Sequence, residues 1–120
     1  MKILIVDDNR DTADTLQALL QYAGHDVRVA YRGDEALELA ATFEPDLALV
    51  DIQLPDTTGF AVAQRLRKQL ARRVHIVGIT GGDTRSLRTA GTFNEHAVKP
   101  ISAARLYQVI DAARDAMRAA

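Results

Sequence analysis

Cysteine and tryptophan are absent from this chain. The first absence excludes a disulfide framework and any thiolate metal site, so the fold must rest on its own apolar core. The second removes the usual intrinsic fluorescence readout. No apolar run approaches the roughly 20 residues that a membrane span requires. Charge of one sign is lacking too: 15 Lys plus Arg against 16 Asp plus Glu leave a net charge of −1. That balance offers no overall attraction to nucleic acid or to an anionic membrane, so a partner must be recognised locally. Met1 is followed at once by a strand-like run, which leaves no room for the basic and apolar regions of a signal peptide. The chain is therefore expected to be cytoplasmic, without membrane attachment or direct nucleic-acid contact. Internal repeats, low-complexity tracts and linkers are missing as well. What is there is 120 residues and 13.1 kDa, the size of one ordinary domain, here residues 1–120.

Short apolar runs alternate with amphipathic stretches along the whole chain. The runs are Ile3 to Val6, Val27 to Ala30, Leu47 to Val50, Ile76 to Ile79 and a weaker Glu95 to Val98. Their hydrophobicity is continuous rather than alternating, the pattern of strands buried on both faces. After the candidate caps Asn9 and Asp11, Leu16, Leu19, Leu20 and Ala23 follow helical spacing, and Gly24 stands where a helix C-terminus favours glycine. Similar stripes are Ala36, Leu37, Ala40 and Ala41 ahead of Pro45, and Phe60, Ala63, Leu66 and Leu70. Another is Leu106, Val109, Ile110, Ala113 and Met117 behind a Ser102 cap. All these stripes are read as core. Strand and helix in alternation predict an α/β fold, a (βα)5 doubly wound parallel five-stranded sheet with helices on both faces.

In such sheets ligands bind at the carboxyl ends of the strands. Asp7 and Asp8 close the first run, Asp51 closes the third, Thr80 the fourth, and Lys99-Pro100 the fifth. Each alone has an ordinary explanation: paired aspartates after a strand open loops and cap helices, and a lone Thr or Lys is commonly structural or solvated. Their joint order is more specific. Read together, Lys2-Ile3-Leu4-Ile5-Val6-Asp7-Asp8-Asn9, Leu47-Ala48-Leu49-Val50-Asp51-Ile52-Gln53-Leu54-Pro55, Val77-Gly78-Ile79-Thr80-Gly81 and Ala97-Val98-Lys99-Pro100 resemble the receiver domain of two-component response regulators. The resemblance runs the full length of the chain.

The resemblance implies a flavodoxin-like receiver fold with strand order 2-1-3-4-5. Given that order, Asp7, Asp8 and Asp51 converge, and their mutual repulsion favours a divalent cation. The family's ion is Mg²⁺, held by these carboxylates and by the backbone carbonyl of Gln53. Asp51 is the expected phosphoryl acceptor, a carboxylate nucleophile whose charge the metal screens. Lys99 and the Thr80 hydroxyl are the expected groups around the transferring oxygens, and Gly81 leaves room for them. The Lys99-Pro100 bond is expected to be cis. The phosphodonor is expected to be a phosphohistidine on a histidine kinase or a histidine phosphotransfer domain. The protein is then no enzyme in the ordinary sense. It is a phosphoacceptor that catalyses its own phosphorylation and dephosphorylation, as a stand-alone or hybrid-kinase type receiver. Output to a protein partner is expected through the surface of the fourth helix, fifth strand and fifth helix.

Three features depart from the family pattern. His96 stands where Tyr or Phe usually moves inward with the threonine, so Thr80 and His96 form the expected switch, one open to protonation near neutral pH. Thr80 and Lys99 are only 19 positions apart, so the fourth helix is expected to be short or partly unwound. Thr57-Thr58 replaces a common methionine-aspartate pair, with little effect expected. His25 and His75 are read as surface residues. Other readings are a degenerate receiver serving as a docking scaffold uncoupled from phosphorylation, an aspartyl-phosphate hydrolase, and a flavin binder. The hydrolase lacks its second acid at Gln53, and Asp7-Asp8-Asn9-Arg10 opposes a flavin phosphate.

Overall fold

A computed structural model of the chain describes residues 1–70, 73–82 and 92–118. The strands are β1 (Lys2–Val6), β2 (Asp26–Ala30), β3 (Leu47–Asp51), β4 (His75–Thr80) and β5 (Glu95–Val98). The helices among the described residues are α1 (Arg10–Tyr22), α2 (Gly33–Phe43), α3 (Gly59–Gln69) and α4 (Ala103–Arg118). All strand pairs are parallel, in the order β2-β1-β3-β4-β5. This is the expected fold and order. The helix anticipated after β4 falls on 83–91, outside the described residues, so α4 is the one read from sequence as the fifth helix.

Strand residues divide between two apolar cores by the two-residue period of the pleat. Ile3, Ile5, Leu47, Leu49, Val77 and Ile79 pack under Leu16 and Leu20 of α1 and Leu106, Val109 and Ile110 of α4. Leu4, Val6, Ala48, Val50 and Ile76 pack under Ala36 and Ala40 of α2 and Val62, Ala63 and Leu66 of α3. Both sheet faces are thus covered, which explains why the strands read as unbroken apolar runs. Fully buried residues such as Ile3, Leu47 and Leu106 each contribute about 1.5–3 kcal/mol of hydrophobic stabilisation.

Helix ends follow local chemistry. Asn9 caps α1, its side chain accepting the Thr12 N–H at 3.1 Å. At the other end Gly24 adopts φ 95°, beyond the C-cap Ala23, and its N–H donates to the Gln21 carbonyl at 2.9 Å. Ser102 accepts the Arg105 N–H at 3.1 Å at the start of α4. Three stripe residues do not join the core: Ala23 and Ala41 are exposed and Met117 is 45% exposed. Ala23 and Met117 lie at the C-terminal ends of α1 and α4, whereas Ala41 faces away from the core although Phe43 beyond it is buried.

Two further corrections concern histidines. The His75 side chain is only 9% exposed, with Nε2 2.7 Å from Glu95 Oε2. His25 is half-buried, and its Nδ1 accepts from the Met1 amino group at 3.0 Å. Burial, with the Met1 and Arg114 charges, lowers its pKa. Neither is a plain surface residue.

Candidate functional site

The carboxyl ends of β1, β3, β4 and β5 deliver the polar residues to one cleft. Asp7 follows β1 directly and its carboxylate is almost fully enclosed, while Asp51 is the last residue of β3 and also buried. Lys99, just beyond β5, reaches between them: Nζ donates to Asp51 Oδ2 at 2.8 Å and lies 3.0 Å from Asp7 Oδ2. The remaining oxygens are held by the backbone. Asn9 N–H donates to Asp7 Oδ1 at 2.9 Å, and Gln53 N–H donates to Asp51 Oδ1 at 3.1 Å. Both carboxylates are therefore locked in orientation by the loops that follow their strands.

Burial raises the Asp7 pKa against the opposing pull of the Asn9 N–H and Lys99, with the Asp51 charge adding to the rise. Burial alone would lower the Lys99 pKa. The hydrogen bonds and charges of Asp51 and Asp7 outweigh it and raise the value above that of an ordinary lysine, so the ammonium stays charged. Asp8 is exposed at the rim, and oxygens of Asp7, Asp8 and Asp51 all lie within 4.8 Å of one another. A cluster of hard carboxylate oxygens, two of them buried, is a donor set that fits a small oxygen-seeking dication such as Mg²⁺. Gln53 is exposed beside it and forms an isolated bridge with Thr58.

Thr80 ends β4 and is buried. Its Oγ1 accepts the Gly82 N–H at 3.3 Å, which leaves the hydroxyl proton available to another acceptor. The Lys99 N–H donates to the Thr80 carbonyl at 2.7 Å, tying the two strand ends together, and the Lys99-Pro100 peptide is cis. A Cβ added at Gly81 would meet nothing within 4 Å, so the space beside Thr80 is open. His96, in register with Gly78 on β4, tilts against Phe93 with ring centroids 5.3 Å apart. Its Nε2 is buried without a partner.

Two residues that fix the surrounding elements, Asp56 ahead of α3 and Arg67 within α3, carry no signature in the sequence. Asp56, in the loop after Asp51, accepts from Gly33 N–H at 2.8 Å and Asp34 N–H at 3.0 Å. It supplies the cap that Arg32, preceding α2, does not provide. Those two donors hold its pKa below the usual carboxylate range. Arg67 of α3 donates to the Thr92 carbonyl at 2.8 Å, the Val74 carbonyl at 3.1 Å and Asn94 Oδ1 at 2.6 Å, pinning the entrances to β4 and β5. The absent N-cap side chain at Arg32 was the one readable hint.

Comparison with known proteins adds an independent line. The model of the response regulator receiver domain family matches residues 3–111. Among solved structures, the response regulator TrrA from Thermotoga maritima, determined in complex with Mg²⁺-BeF, is 28% identical with a TM-score of 0.83, covering 93% of this chain and 97% of that one. A receiver domain from Methylobacillus flagellatus is 27% identical with a TM-score of 0.82, covering 94% and 98%. A two-component response regulator from Clostridium difficile is 25% identical with a TM-score of 0.89, covering 98% of each chain.

Proposed function

Because the chain belongs to the response regulator receiver domain family, we propose that Asp51 is a phosphoacceptor. It takes a phosphoryl group from phosphohistidine on a histidine kinase or phosphotransfer domain, in a Mg²⁺-dependent reaction. The observation that carries this reading is the Lys99 ammonium, 2.8 Å from Asp51 and 3.0 Å from Asp7 in a cleft walled by a third carboxylate. In the transfer a carboxylate oxygen of Asp51 forms the new P–O bond as the P–N bond breaks, and the electron pair leaves with the donor imidazole. Asp7, Asp8, Asp51 and the Gln53 carbonyl would hold the Mg²⁺, which supplies charge neutralisation for the phosphoryl oxygens when bound.

The other residues act by position and charge. Lys99, kept protonated by its two carboxylates, exchanges the Asp51 oxygen for a phosphoryl oxygen once that carboxylate becomes an acyl phosphate. Thr80 donates its free hydroxyl proton to a second phosphoryl oxygen. Its movement is relayed through β5, where His96 fills the aromatic switch position. The β5 and α4 surface, with Val98 53% and Tyr107 48% exposed, then docks a downstream protein in the cytoplasm. No helix among the described residues is long and apolar enough to cross a membrane.

The test is intact mass after incubation with acetyl phosphate or phosphoramidate and Mg²⁺, beside Asp51→Asn. One phosphoryl adduct, lost in the variant, is expected; an unchanged adduct in Asp51→Asn refutes the assignment. NMR of the beryllofluoride-treated protein then reads the switch. Shifts at Thr80, His96 and β5 are expected, and shifts confined to the cleft would instead support a docking scaffold uncoupled from phosphorylation.

A further inference from the structure

The chain leaving Asp51 is closed on itself. Leu54 N–H donates to the Thr57 carbonyl at 3.3 Å and Gly59 N–H to the Ile52 carbonyl at 2.7 Å, flanking the antiparallel bridge of Gln53 with Thr58. These bonds make residues 52–59 a tight hairpin with Pro55 and Asp56 at its tip, where the proline ring fixes φ. Its base is tied to the sheet, because Ile52 N–H donates to the Ile79 carbonyl at 3.0 Å. The same hairpin serves the cleft. Gln53 N–H donates to Asp51 Oδ1 at 3.1 Å, and the Gln53 carbonyl is the proposed Mg²⁺ ligand.

The tip is seated on a different element. The Asp56 side chain is 17% exposed, and both of its oxygens are engaged by the first turn of α2: Oδ1 by Gly33 N–H at 2.8 Å and Oδ2 by Asp34 N–H at 3.0 Å. Asp56 is thus not one of the carboxylates that cluster in the cleft. Thr57 packs its methyl so closely on Gly33 that a Cβ there would collide with it and lie 3.0 Å from Val62 Cγ2. A carboxylate and a methyl from successive residues therefore grip one helical turn. Arg32, just before that turn, has the extended backbone of an N-cap at φ −142° and ψ 158°, yet its side chain makes no cap bond. An acceptor brought from 22 positions away satisfies α2 and fixes the hairpin at once.

We propose that Asp56 is a positioning residue for the Mg²⁺ of the cleft: it anchors the hairpin on α2 and so holds the Gln53 carbonyl in place. The inference rests on the phosphoacceptor reading of the cleft. Gln53 lies between two fixed ends, Ile52 on β4 and Asp56 on α2, and release of the tip leaves only the base. By linkage, the α2 contact and the ion support each other.

The test separates a helix cap from an anchor. Asp56→Ala removes both, and adding Arg32→Ser at the exposed N-cap position returns a cap to α2 without returning the anchor. On the full chain, urea midpoints, Mg²⁺ affinity from amide shifts at Asp8 and Gln53, and metal-free hydrogen exchange at Gln53 are measured. Asp56→Ala is expected to lower the midpoint and to weaken Mg²⁺ binding about tenfold, the size typical when a group supporting a metal ligand is lost. The double variant should regain the midpoint but not the affinity, and its Gln53 amide should exchange faster than in the parent. Arg32→Ser alone should bind Mg²⁺ as the parent does. Affinity that recovers with the midpoint, or is never lost, shows Asp56 to be a cap only and overturns the proposal. If the midpoint is not regained, exchange decides: acceleration confined to residues 52–59 and the first turn of α2 supports the anchor, and uniform acceleration along the chain overturns it. A parent without saturable Mg²⁺ shifts removes the phosphoacceptor reading, and this proposal with it.

Discussion

Replacing Gly59 by alanine tests whether the loop that follows Asp51 is as tightly seated as its geometry indicates. Gly59 opens α3 directly behind Asp51, and its N–H donates to the Ile52 carbonyl at 2.7 Å. A Cβ built there would collide with the Asp51 carbonyl oxygen and lie 2.8 Å from Ile52 Cα and 3.0 Å from the Asp51 carbonyl carbon. These are backbone atoms of β3 and its exit, so no side-chain rotation relieves the contact. Overpacking costs about 1–3 kcal/mol in general, and a purely backbone collision belongs at the upper end, about 3 kcal/mol. For a domain of this length that lowers Tm by about 12 °C, taking roughly 4 °C per kcal/mol. The assay is thermal unfolding by far-ultraviolet circular dichroism, with Gly81→Ala as control, because a Cβ at Gly81 meets nothing within 4 Å. Gly81→Ala is expected to stay within about 0.5 kcal/mol of the parent. The phosphoryl adduct should also form more slowly in Gly59→Ala, since relief of the collision displaces Asp51 from Lys99. If the two alanine variants unfold at the same temperature, the close approach behind Asp51 is not a real constraint.

Asp56→Asn should destabilise the protein at neutral pH and matter less in acid. The folded carboxyl has its pKa lowered by the Gly33 and Asp34 N–H groups, so its contribution is present above the ordinary value of about 4 and is lost as pH falls through the lowered one. Urea midpoints of parent and variant should converge below that range; a gap independent of pH refutes the ionic origin. Arg67→Met removes donors to Thr92, Val74 and Asn94 and should cost about 2 kcal/mol in urea unfolding, discounted because the site is partly exposed. A loss below about 0.5 kcal/mol would show that the clamp adds nothing. His96→Phe removes the buried, unpartnered Nε2 and should raise stability by about 1 kcal/mol, the cost of an unsatisfied buried polar atom. A fall in stability would show that the nitrogen has a partner in solution.

What was legible in the sequence was whatever depends on neighbours close along the chain. Ile3 to Val6 and Leu47 to Val50 read as doubly buried strands because helices cover both faces. Asn9, Gly24 and Ser102 read as caps because their partners lie within a few positions. The candidate site was half legible: Asp7, Asp51, Thr80 and Lys99 each end a strand. Nothing in their spacing alone brings Lys99 to Asp51 across 48 positions; the strand order does that. His75 with Glu95, Arg67 with Asn94 and Asp56 with Gly33 are separated by 20, 27 and 23 positions, and pair only after the sheet has formed. Met117 failed differently, because helical periodicity marks a face but not how far along the helix the core extends: Ala113 is buried and Met117 is 45% exposed. The short helix expected after Thr80 lies outside the described residues.

The charge balance of the cleft leads to a further prediction about Lys99. Asp7, Asp8 and Asp51 contribute −3 when ionised and Lys99 contributes +1, a net −2 that one dication would neutralise. Burial raises the Asp7 pKa, and the Asp51 charge adds to the rise. Removing the ammonium in Lys99→Met leaves −3 and vacates the space between Asp7 and Asp51. At an effective dielectric near 20, a unit charge about 4 Å away changes an ion's energy by several kcal/mol. Solvent at the rim and rearrangement of Asp7 reduce this, and about 1.4 kcal/mol remaining corresponds to tenfold. Lys99→Met should therefore bind Mg²⁺ about tenfold more tightly, measured by calorimetry or by NMR shifts at Asp8 and Gln53, while forming its phosphoryl adduct far more slowly. The opposite directions separate two roles that a simple loss of folding would merge: Lys99 opposes the metal in the resting cleft and serves the phosphoryl group during transfer. Equal or weaker Mg²⁺ binding in the variant would show that Lys99 does not compete for the aspartates, and that the ion sits beyond its reach.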